Sequence, residues 1–167
     1  MRLALIAIAV VLTALAGCAS KPAPATNTPP AAPVSGPPTP HATLASEQKR
    51  LAALFRDTPA VFVMQPDGSL RAAVPLRYCF DRGSVAIKPP LAAVLDRLAK
   101  SQLNETSLMR VAAPPDPGVA SPTLIRDRTA SVRDRLVAQG IAAARVTLVG
   151  AAQVEGVEVF VVEPAPR

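Results

Sequence analysis

Phe80-Asp81-Arg82-Gly83-Ser84-Val85-Ala86-Ile87-Lys88-Pro89 is the stretch where the chain changes its period. Before it, Val74, Leu76, Tyr78 and Phe80 fall at every second position. That alternation predicts a half-buried strand over Arg71–Phe80, with Pro75 at an edge or a bulge. After it, Leu91, Val94, Leu95 and Leu98 recur at helical spacing, so Pro89–Lys100 reads as a helix. Pro89 and Pro90 stand in its first turn, where a missing N–H costs little. A strand that hands over to a helix through a polar turn points to a mixed α and β fold.

Working outward, the same signals recur. Leu44, Ala45, Gln48, Leu51, Ala52 and Phe55 lie on one face of a predicted first helix, which Thr43 or Ser46 can cap. Ala60–Met64 reads as a strand, and Gln65-Pro66-Asp67-Gly68 as the turn of a hairpin into the strand at Arg71. Downstream, Thr106–Ala112 reads as a strand, and Ala113–Ser121 as a Pro-rich loop holding Asp116 and Gly118. Ser121 caps a helix that Pro122 opens and Gly140 closes, with Ile125, Thr129, Val132 and Leu136 inward. Arg145–Val149 and Val157–Val162 complete the set. The expected architecture is α+β: a mixed sheet with two helices packed on one face, plus an N-terminal helix and hairpin.

The N-terminal part has a different composition. Arg2 is followed by the apolar run Leu3–Ala16, whose 14 residues are too short to cross a hydrocarbon core of roughly 30 Å. Leu15-Ala16-Gly17-Cys18 resembles the lipobox of bacterial lipoproteins, which implies cleavage after Gly17 and lipidation of Cys18. Ala19 rather than Asp follows that Cys, which by resemblance to lipoprotein sorting favours the outer membrane. Eight prolines between Ala19 and Thr43 exclude a packed core there. They predict a stiff tether reaching at most roughly 80 Å at about 3.1 Å per residue. The sole histidine, His41, reads as a solvated residue of that tether. The expected division is thus 1–17 signal peptide, 18–43 lipidated Cys and tether, and 44–167 folded domain.

Composition excludes several functions. The folded domain carries 16 Lys and Arg against 12 Asp and Glu, dispersed and without an aromatic stacking platform, so nucleic-acid binding is not expected. The modest excess suits an anionic envelope surface. The domain has no histidine, no carboxylate pair at a recognisable spacing and no Gly-rich phosphate loop. No catalysis, cofactor or metal is expected. Once Cys18 is lipidated, Cys79 is the only thiol, read as a small core residue in the strand Tyr78-Cys79-Phe80.

The stretch 80–89 resembles the strand-to-helix entry of the OmpA-like peptidoglycan-binding domain. Arg128-Thr129-Ala130-Ser131-Val132-Arg133-Asp134-Arg135-Leu136 followed by Gln139-Gly140-Ile141 resembles that family's second helix and its exit. Ala144–Gly150 is similar to the strand that follows. The resemblance implies that the domain holds a diaminopimelate-containing stem peptide between an Asp before the second helix and an Arg on it. The matching residues are Asp116 and Arg128. The chemistry is apt, since a zwitterionic group needs one anion and one forked cation on rigid elements. The pattern also departs from the family: Pro114-Pro115-Asp116-Pro117-Gly118 replaces Thr-Asp-x-x-Gly, the Asp-to-Arg spacing is shorter, and the final Asn-Arg-Arg is absent. Taken alone, Arg128 reads equally as a helix-surface residue beside Arg126, Arg133 and Arg135, and Asp116 as a turn residue. Two functions follow as expectations. One is a non-catalytic lipoprotein that ties the outer membrane, from its periplasmic face, to peptidoglycan. The other is an OmpA-like fold with a degenerate site, acting as an interaction module for another envelope protein.

Overall fold

The computed structural model describes residues 43–164. The predicted signal peptide, Cys18, His41 and the tether up to residue 42 lie outside the described residues. Thr43 caps α1 (Leu44–Leu54) with its hydroxyl, which accepts from the Ser46 N–H at 3.3 Å. A hairpin follows, β1 (Val61–Met64) and β2 (Leu70–Pro75), then α2 (Pro89–Gln102) and β3 (Leu108–Ala113). α3 (Pro122–Ala138) leads to β4 (Val146–Ala151) and β5 (Gly156–Val162). No described helix is long and apolar enough to cross a membrane.

The five strands form one sheet in the order β1-β2-β5-β3-β4. All pairs are antiparallel except β3 with β4, which run parallel because α3 carries the chain across between them. The register puts Phe62, Ala72, Val159 and Val111 in one row across four strands. These join Leu44 and Leu51 of α1, Leu91, Leu95 and Leu98 of α2, and Val132 and Leu136 of α3 in a single core. Alternation does the rest: residues of the other parity face away from the helices. Their central row is Val63, Arg71, Phe160, Arg110 and Thr147. Glu158 also points to that side, yet is 1% exposed. Arg71 donates to it at 3.2 Å and the Gln153 N–H at 2.7 Å. β5 can begin against β2 only because residue 156 is glycine: a Cβ there would lie 2.3 Å from the Val74 carbonyl oxygen.

The α+β class, the mixed sheet and the order of elements agree with the sequence reading. One strand does not. β2 stops at Pro75 instead of running to Phe80, and Leu76–Tyr78 is a 3-10 turn. The period-two pattern of Leu76, Tyr78 and Phe80 is therefore not a strand pattern. Leu76 makes a last bond toward the β5 side by donating to the Glu155 carbonyl, and the chain then turns away because the Leu76 carbonyl accepts from the N–H groups of Cys79 at 2.8 Å and Phe80 at 3.2 Å. Cys79 is buried as expected, but in that turn, with its thiol 3.1 Å from the Val74 carbonyl. Burial pushes this thiol up to about 11. The inward stripe of α3 is also different. It is Arg128, Thr129, Val132 and Leu136, with Ile125 only half-buried.

Candidate functional site

Two loops and one helix meet at one edge of the core. The 81–84 turn leads from the 3-10 turn to α2. The Pro114–Ser121 loop leaves β3, whose register against β4 shifts between Val111 and Ala113. α3 starts at once behind that loop, with the Ser121 hydroxyl accepting from the Leu124 N–H at 3.2 Å. Gly118 takes φ +73°, a conformation that side chains disfavour, and lets the Val119 N–H turn back to the Asp116 carbonyl at 3.0 Å.

The structure brings Asp116 and Arg128 together. Arg128 Nη2 donates to Asp116 Oδ1 at 2.6 Å. The same guanidinium donates from Nε to the Ser84 carbonyl at 2.9 Å, from Nη1 to that of Pro114 at 3.1 Å, and from Nη2 to that of Asp81 at 3.2 Å. Its Cζ lies 4.9 Å from the centre of the Phe80 ring. Asp116 is equally engaged, because its Oδ2 accepts from the Gly83 N–H at 2.6 Å. Arg128 is therefore not a surface residue of α3: its exposure is 0%, and that of Asp116 is 5%. The pair ties both loops to α3. The helix surface holds Arg126, Arg133 and Arg135 instead, each paired with a nearby Asp.

The hydrogen bond from Arg128, and after it that from the Gly83 N–H, holds the Asp116 carboxyl below the usual carboxylate range. A carboxylate whose folded pKa is depressed contributes stability that is fully present above its unfolded value of about 4. That contribution is lost as pH falls through the folded value. The stability gap between the unmutated chain and Asp116→Asn, followed by urea unfolding, is expected to be widest at neutral pH. It should narrow steadily below pH of about 4. A gap that stays constant with pH would show that Asp116 is not held in the charged form.

Beside Asp116 opens a cleft of about 580 Å³. Leu76, Phe80 and Asp116 line it, together with the charged side chains of Arg77, Arg82 and Glu155. A neighbouring cleft of about 540 Å³ runs along the 114–120 loop and shares Leu76, Asp116 and Glu155. Sequence reasoning missed all three rim charges. Glu155 comes from the connection between β4 and β5, far along the chain, and no local pattern connects it to Arg82. Arg82 lies inside the motif read at the outset and Arg77 just before it, where the positive charges beside the turn were the available signal.

No protein-family model matches the sequence, and no curated protein matches it. Solved structures do resemble the fold. The cell wall anchor of the T6SS from Pseudomonas aeruginosa matches at 18% identity and TM-score 0.57, over 74% of this chain and 99% of that one. A putative MotB-like protein from Desulfovibrio vulgaris matches at 16% identity and TM-score 0.55, over 72% and 91%. The periplasmic domain of Helicobacter pylori MotB matches at 18% and TM-score 0.50, over 64% and 80%. At such identities the likeness speaks for architecture, and the architecture of the described residues is the OmpA-like fold.

Proposed function

We propose that this chain is a non-catalytic envelope lipoprotein that ties the outer membrane to peptidoglycan. Lipid on Cys18 holds the membrane end, the Pro-rich segment spans the gap, and the folded domain binds the wall through the cleft beside Asp116. One observation carries the reading. The Asp and the Arg that the family resemblance selects, 12 positions apart, converge to 2.6 Å, and the Asp borders an open, charged cleft. The structural neighbours, which include a cell wall anchor, support the same kind of partner. The test is co-sedimentation of the full chain, in detergent, with insoluble peptidoglycan sacculi. The chain should pellet with sacculi, be released by excess soluble stem peptide, and stay bound in moderate salt. Supernatant recovery at every sacculus concentration would reject wall binding.

The second reading, an interaction module for another envelope protein, has its own support. Arg128 presents no surface to a ligand, and its donors are spent on the protein's own loops. It would become the better account if the sacculi fail to bind.

A further inference from the structure

Asp116 and Arg128 neutralise each other, and only Asp116 borders the cleft, with little surface to offer a ligand. The rim is different. Arg77, Arg82 and Glu155 are exposed, and none forms an ion pair among the described residues. Arg77 sits over the Tyr78 ring, its Cζ 4.7 Å from the centre. Arg82 follows Asp81, whose carbonyl is held by Arg128 and whose carboxylate accepts from Lys88 at 2.9 Å. Glu155 sits where its carbonyl accepts from the Leu76 N–H at 3.0 Å. Both residues thus stand on anchored backbone. The cleft between them is walled by the apolar surfaces of Leu76, Phe80 and Pro117.

We infer that recognition has moved from the buried pair to this rim: Arg82 receives a carboxylate and Glu155 an ammonium of a zwitterionic peptide. Arg77 adds a second cation to the lining of the same cleft, so the rim favours a ligand with more carboxylates than ammonium groups. The buried pair then acts as a positioning clamp that sets the spacing of the rim. This inference rests on the wall-binding reading above, since a stem peptide with an amino-acid side chain of that kind is a ligand of this class.

The experiment is calorimetric titration of the full chain with a soluble stem peptide, and with the same peptide acetylated on its side-chain ammonium. Arg82→Ala should weaken binding of the free peptide about ten- to a hundredfold, as loss of a charge-assisted bond does. Arg133→Ala, an equal charge change on the outer surface of α3, should leave it within about twofold. Acetylation should weaken binding to the unmutated chain but not to Glu155→Gln, which has already lost the ammonium contact. Thermal melts confirm that the rim variants stay folded. If the unmutated chain binds while Arg82→Ala and Glu155→Gln bind equally well, the rim assignment is overturned and the wall-binding reading stands. If the unmutated chain binds neither the peptide nor sacculi, both are overturned.

Discussion

Arg128→Ala is expected to cost the folded state about 3–5 kcal/mol, the usual loss when one partner of a buried ion pair is removed. The change strands the Asp116 carboxylate, at 5% exposure, with only the Gly83 N–H for a partner. It also leaves the carbonyls of Ser84 and Pro114 without this donor, and that of Asp81 with only the Ser84 N–H. Each group that stays buried and unmet adds about 1–3 kcal/mol, and relaxation of the two loops toward water limits the total. Domains of this size are stable by about 5–15 kcal/mol, so a large share is at stake. Arg128→Lys keeps the charge but not the planar fork, and cannot span acceptors from two loops at once. It should recover less than half of the loss. Arg133→Ala, whose only ion-pair partner among the described residues is its exposed neighbour Asp134, should stay within about half a kcal/mol. Urea unfolding of the three variants measures this directly. A loss under about 1 kcal/mol for Arg128→Ala would contradict a closed clamp.

Cys18→Ser carries the largest expected effect on location. The proposed anchor is a Cys with several acyl chains, each buried CH₂ contributing about 0.8 kcal/mol to membrane binding. The apolar run Leu3–Ala16 is short for a span, and no described helix can replace it. The Ser variant should therefore leave the membrane fraction almost completely, appearing as soluble or unprocessed chain. Continued fractionation with membranes in high salt would contradict anchoring through Cys18.

Most of the fold is legible because local chemistry marks it. Thr43 and Ser121 cap helices with their hydroxyls, and prolines occupy the first turns of α2 and α3. The core stripe Leu91, Val94, Leu95 and Leu98 follows from spacing alone. Where reading failed, the deciding contact was distant in sequence. The alternation from Val74 to Phe80 mimics a strand, yet the strand stops at Pro75 and the turn closed on the Leu76 carbonyl ends the ladder. Arg128 looks like its neighbours Arg126, Arg133 and Arg135 because an arginine's surroundings are not written on its own helix. Its burial depends on carbonyls that lie 14, 44 and 47 positions away. The pairing of Asp116 with Arg128 was legible only through resemblance; of the rim charges, only the arginines beside the turn left a local signal, and Glu155 left none.

The most direct test of the central claim, a wall-binding cleft organised by a buried pair, is a ¹H–¹⁵N NMR titration of the chain with soluble stem peptide. Resonances of Arg77, Arg82, Gly118 and Glu155 are expected to shift together and saturate, while those of Val63 and Phe160 on the open sheet face stay still. Shifts confined to the open face, or none at millimolar peptide, would contradict it.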